Sequence, residues 1–111
     1  MEIQIDDYED VKVVRVKGRV QDEGEQSFSR AVGSLIQGRG TRIVLDLSQV
    51  EMLNSSGLGD WVRLTAQVNT QEGRVILANP SAFVAGVLET TRLDRFFEIC
   101  SSVDEAVARL R

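Results

Sequence analysis

The chain opens with alternation. In "MEIQI", residues 1–5, apolar side chains fall at every second position, and "VKVVRVKG", residues 11–18, is rich in valine and stops at Gly18. Both read as strands, because β-branched residues suit a pleated surface. The period then changes. Phe28, Ala31, Val32, Leu35 and Ile36 stand at i, i+3, i+4, i+7 and i+8 within "EQSFSRAVGSLIQG", one stripe of a helix that Gly38 should stop. "RIVLDL", residues 42–47, is nearly all apolar and predicts a strand covered on both faces. A helix to about Thr70 follows, with Leu58, Trp61, Val62, Thr65 and Val68 on one face and Asp60, Arg63 and Gln67 opposite. "RVILA", residues 74–78, predicts another buried strand. Asn79 and Pro80 read as the start of a helix striped by Phe83, Val84, Val87 and Leu88. "FFEIC" predicts a short last strand. Ser102 and Glu105 have capping-box spacing ahead of a final helix with Val103, Ala106, Val107 and Leu110 on its apolar face.

The expected order is β-β-α-β-α-β-α-β-α. Two strands joined by a short acidic turn predict an antiparallel hairpin, and strands that each follow a helix should run parallel through right-handed crossovers. The fold class is therefore α/β: residues 1–111 form one domain, a mixed sheet with about four helices packed on it. Asp6, Asp7, Glu9 and Asp10 are expected in a solvated hairpin loop. Sites in such folds gather at the carboxyl ends of strands.

Composition narrows the function. With 42% hydrophobic and 27% charged residues in 111, the chain can bury a core without disulfides or metal. Its single cysteine, Cys100, has no intrachain partner, which favours a reducing, cytoplasmic setting. No apolar run reaches the roughly 20 residues of a membrane helix, and the first ten residues lack the pattern of a signal peptide. A net charge of −4 with scattered cations argues against direct nucleic-acid binding.

The unusual stretch is "EMLNSSGLGDWV", residues 51–62, between strand and helix. Asn54, Ser55 or Ser56 could cap that helix, and Gly57 and Gly59 could ease the turn. The chain has no histidine, so a Ser-His-acid nucleophile is excluded. It has no phosphate-binding loop of the G-x-x-x-x-G-K-[ST] kind and no Cys/His cluster, so no cofactor and no metal are expected. Asp46 and Asp60 flank the stretch and read as ordinary solvated or capping acids. What survives is a hydroxyl at a helix N-terminus, where backbone N–H groups and the helix dipole favour a phosphate.

"RIVLDLSQVEMLNSSGLGDWV" resembles the signature of the STAS domains, the bacterial anti-sigma factor antagonists. In those an apolar strand and an acid precede D-S-S-G-L-G or D-S-T-G-L-G at a helix start. "GRVILAN", "TRLDRFFEI" and "VKVVRVKGRV" are similar to other parts of the family, so the resemblance spans nearly the whole chain. Two family acids are amides here: Asn54 stands before the serines, and Gln21 stands in the G-x-L-D position after Gly18.

The resemblance implies a regulator that is not itself an enzyme. It would bind a partner that is both anti-sigma factor and serine kinase, and release it once phosphorylated at Ser55, the first serine of the motif. A serine phosphatase would reset it. The implied partner surface covers Asn54, Ser55, Ser56, Gly57 and Leu58, and continues along Asp60, Arg63, Leu64 and Gln67. Gln21 and Asp46 would support it, with Asp46 at the carboxyl end of the central strand near the Ser55 turn. The alternative is a STAS scaffold without a phosphorylation cycle, a subunit of a stress-signalling or lipid-transport complex.

Overall fold

The computed structural model describes residues 1–21 and 27–111. Strands β1 (Glu2–Tyr8), β2 (Val11–Val20), β3 (Arg42–Leu53), β4 (Arg74–Ala78) and β5 (Glu98–Cys100) form one sheet in the order β1-β2-β3-β4-β5. β1 and β2 are antiparallel, with Ile3 opposite Val16 and Ile5 opposite Val14. The other neighbours are parallel. Helices α1 (Ser27–Gly33), α2 (Ser55–Thr70), α3 (Ala82–Thr90) and α4 (Val103–Leu110) complete the α/β domain.

The order explains the layering. Each of β2, β3 and β4 passes through a helix to its immediate neighbour, and crossovers of one hand place those helices on one face. There Phe28, Val32, Leu58, Trp61, Leu64, Val68, Val84 and Leu88 pack on Val14, Val16, Ile43, Leu45 and Leu47. The alternate residues Val11, Val13, Val44 and Ile76 meet Ala106, Val107 and Leu110 of α4 on the other face. The near-continuous apolar runs of β2, β3 and β4 thus cover both sides of one sheet.

β3 runs to Leu53, beyond the Leu47 end expected from its apolar run. β4 pairing stops at Asp46 opposite Ala78, but β2 continues the ladder through Val20 opposite Leu53, with shifts between Arg15 and Lys17 and between Gly18 and Arg19. The polar Ser48 and Gln49 hid this extension. They are exposed, while Val50 and Leu53 still enter the core.

Four local expectations are corrected. α1 ends at Gly33, and Leu35 and Ile36 pack on the core from turns bonded to Val32 and Gly33, so burial outlasts the helix. Glu25 and Gln26, expected at its start, lie outside the described residues. α3 is capped by Ser81, whose hydroxyl accepts from Val84 N and donates to Val50 O at 2.7 Å. Asn79 instead makes a left-handed turn at φ 50°. Phe83 leaves the stripe and is 45% exposed. Asp6 and Asp7 belong to β1, where they pair with Arg15 and Lys12 across the hairpin.

Candidate functional site

β2 and β3 end side by side, and α2 starts from that junction. Asn54 N donates to Val20 O at 3.1 Å, which ties the first residue after β3 to the last residue of β2. Asn54 is extended, at φ −96° and ψ 174°, and its Oδ1 accepts from Gly57 N at 2.9 Å. Its own carbonyl accepts from Leu58 N at 3.0 Å. Of the three residues able to cap, Asn54 does so.

That choice leaves the serines free. Ser55 and Ser56 are exposed in the first turn of α2. Among the described residues neither hydroxyl has a hydrogen-bond partner. Gly57 is buried because the end of β2 passes beneath it: a Cβ there would stand 2.7 Å from Val20 Cγ1 and 3.2 Å from Val20 O. The glycine lets the helix start close against the strand, which fixes the position of the serines.

Several expected partner residues face inward. Leu58 and Leu64 belong to the core, and Leu64 is only 6% exposed. Asp60 was expected on the open face with Arg63 and Gln67, but it is 4% exposed and pairs with Arg63. The reason is α1, which packs along this flank with Phe28 6.4 Å from Trp61 between ring centres. Asp60, Arg63, Leu64 and Gln67 border a cleft of about 160 Å³ whose other wall carries Phe28, Val32 and Ile36. Arg63 and Gln67 remain exposed. The accessible part of the expected surface is therefore Asn54, Ser55, Ser56, Arg63 and Gln67.

Gln21 sits where it was expected. It follows Val20, and its Nε2 lies 3.1 Å from Met52 Sδ, beside the turn. Asp46 does not. It lies in mid-strand, seven residues before Leu53, which is about 23 Å of extended chain. Its Oδ1 accepts from Ser48 N at 3.1 Å and Ser48 Oγ at 2.9 Å, and its Oδ2 faces Arg15 Nε at 3.4 Å. It lines a separate polar groove with Gln4, Arg15 and Lys17. The Arg15 guanidinium is held above its ordinary pKa, first by its hydrogen bond with Tyr8 and also by Asp6 and Asp46.

The sequence reading missed the Val20 carbonyl and the use of Gly59. The first has no side-chain signature. The second had one in the four-residue spacing from Gly59 to Arg63, which brings the two together on a helix. No cluster of three or more metal-binding side chains occurs among the described residues. None of the described helices is long and apolar enough to cross a membrane.

A mixed five-stranded sheet with a serine-bearing turn opening its second helix defines a small single-domain α/β module. The chain belongs to the STAS domain family, whose model matches residues 2–106. It is 30% identical over 104 residues to a Thermotoga neapolitana protein named as a "putative anti-sigma factor antagonist", covering 93% of this chain and 92% of that one. A Thermotoga maritima structure of the same description superposes with a TM-score of 0.88 at 28% identity, over 98% of this chain and 94% of that one. The Bacillus cell fate determinant SpoIIAA in its phosphorylated form shares the fold, with a TM-score of 0.74 at 23% identity over 99% of this chain and 100% of that one.

Proposed function

We propose that this protein is an anti-sigma factor antagonist of the cytoplasm, that it binds a kinase-type anti-sigma factor, and that phosphorylation at Ser55 ends the binding. The observation that carries the reading is the Ser55 hydroxyl: exposed, in the first turn of α2, with the capping duty already taken by Asn54. In the transfer, Ser55 Oγ attacks the γ-phosphorus of ATP held by the partner. The new O–P bond replaces the bond to ADP, and the hydroxyl proton leaves to a base of the kinase. This chain supplies the acceptor, the partner supplies the catalyst, and a serine phosphatase removes the group by hydrolysis, with water taking the phosphoryl group as inorganic phosphate and the Ser55 hydroxyl restored.

The physical logic is one of charge. Unmodified, the turn offers two neutral hydroxyls, Asn54, and the exposed side chains of Arg63 and Gln67 to a partner. A phosphoryl group adds about −1.5 to −2 charges at its centre. A desolvated like-charge clash there can cost several kcal/mol, and each 1.4 kcal/mol or so is tenfold in affinity.

The test is peptide mapping of protein purified from its native cells with phosphatases inhibited, together with capture from native lysate by the wild type, Ser55→Ala and Ser55→Asp. Phosphate on Ser55, and a partner retained by wild type and Ser55→Ala but lost by Ser55→Asp, is expected. Equal capture by all three overturns the phosphorylation gate in favour of a STAS scaffold. Phosphate only on Ser56 overturns the choice of residue.

A further inference from the structure

Met52 and Arg19 stand directly opposite each other where β3 and β2 end, just after the ladder shifts between Gly18 and Arg19. Two donors from the end of β2 converge on the Met52 thioether: Arg19 Nη2 and Gln21 Nε2 each lie 3.1 Å from Sδ. A thioether is a weak acceptor, whereas a guanidinium and an amide are full donors. The donors are therefore poorly matched to the sulfur. Oxidation to the sulfoxide would match them, because it turns a soft apolar group into a polar one that carries an oxygen.

The other sulfur atoms of the chain belong to Met1 and Cys100. Cys100 is 3% exposed in the core beneath α4, and burial pushes its thiol pKa up, so little reactive thiolate forms. Met1 is 45% exposed, and among the described residues no side-chain donor reaches its sulfur. Met52 is partly exposed, so a small oxidant can reach it, and it alone has donors in place.

We propose that Met52 is a site of reversible oxidation by hydroperoxides, with Arg19 and Gln21 as the donors that receive the new oxygen. The sulfur lone pair attacks one oxygen of hydrogen peroxide. The S–O bond forms as the O–O bond breaks, and the sulfur gives up two electrons. The departing hydroxide takes the proton of the transferred OH group and leaves as water. With small shifts of two flexible side chains, the weak contacts to sulfur become hydrogen bonds to oxygen, and the one from Arg19 is charge-assisted. A thiol-dependent sulfoxide reductase restores the thioether: its two thiols become a disulfide, and the oxygen leaves as water. The change falls on the strand pair that carries the serine turn, since Asn54 N donates to the carbonyl of Val20, between Arg19 and Gln21. It does not depend on phosphorylation of Ser55.

The experiment treats the folded wild type with dilute hydrogen peroxide. Mass spectrometry of the tryptic peptide spanning residues 43–63 should show one added oxygen, and fragmentation should place it on Met52. Proton–nitrogen NMR should show the Gln21 side-chain amide and Arg19 guanidinium protons moving downfield. Met52→Leu, in which only Met1 can form a sulfoxide, should keep them in place under the same treatment. Sulfoxide is chiral, and the epimer with its oxygen toward β2 is the one that reaches both donors. Reductases selective for each epimer read the ratio, and a single net hydrogen bond should give about a threefold excess at position 52. Met1 should give near parity, as should position 52 when Arg19→Ala and Gln21→Ala are combined. Arg19 is exposed and Gln21 partly so, and neither belongs to the core, so this variant keeps the fold. An unreacted Met52 in protein whose Met1 is oxidised, or donor protons unmoved by oxidation, would overturn the inference. So would epimers in equal amounts in the wild type, or an excess that survives loss of both donors.

Discussion

Asn54 Oδ1 accepts the backbone N–H of Gly57 at 2.9 Å, so the helix begins at Ser55 with its cap supplied by Asn54 and, among the described residues, with no partner on either serine hydroxyl. Asn54→Ala should cost about 1 kcal/mol through loss of the cap, whereas Asn54→Asp keeps an acceptor of equal rank and should leave stability nearly unchanged. Urea unfolding checks this: the alanine midpoint should fall with an unchanged slope.

Two helical glycines should respond oppositely to alanine. At Gly57 the new Cβ would stand 2.7 Å from Val20 Cγ1, and overpacking of this kind costs about 1–3 kcal/mol. At Gly86 in α3 nothing lies within 4 Å of the new Cβ, so the substitution should gain about 0.5–1 kcal/mol from helix propensity. Thermal unfolding of both variants separates the effects: Tm should fall for Gly57→Ala and rise for Gly86→Ala.

Asp46→Ala should lower stability by about 1 kcal/mol, since it removes the bonds to Ser48 and a partly exposed pairing with Arg15. It should leave phosphorylation at Ser55 and partner capture as in the wild type, because its network lies well back along β3 from the turn. Lost capture by a folded Asp46→Ala protein would contradict that separation.

Glu105 is held below the ordinary glutamate pKa, first by the Ser101 hydroxyl and then by the Ser101 backbone N–H. Its folded value lies below its unfolded one. The contribution to stability is therefore complete above about pH 5 and is lost as the pH falls through the lower folded value. Glu105→Gln should flatten this part of the acid limb and leave the neutral and alkaline range parallel to wild type, as read by denaturant midpoints at successive pH.

The order of elements was legible because strand and helix impose different periods, and both survive in the sequence. β4 was read at both ends, where Gly73 and the Asn79–Pro80 pair bound "RVILA". The resemblance in "NSSGLG" located the turn, and Gln21 was placed beside it.

What stayed hidden depends on neighbours distant in sequence. β3 continues past Ser48 and Gln49 because β2 offers it a ladder there, which no apolar pattern records. That extension separates Asp46 from the site. Asp60 has the spacing of an exposed residue, yet α1 covers that flank and buries it, and Leu64 with it. The cap went to Asn54 because the same residue bonds to Val20 at the end of β2. The sequence by itself determined the alternation of periods, and hence the α/β class and the place of the serine turn, because those are properties of short segments. Only the tertiary structure decided which side chains of that turn and helix meet solvent, because burial is set by whichever element packs alongside.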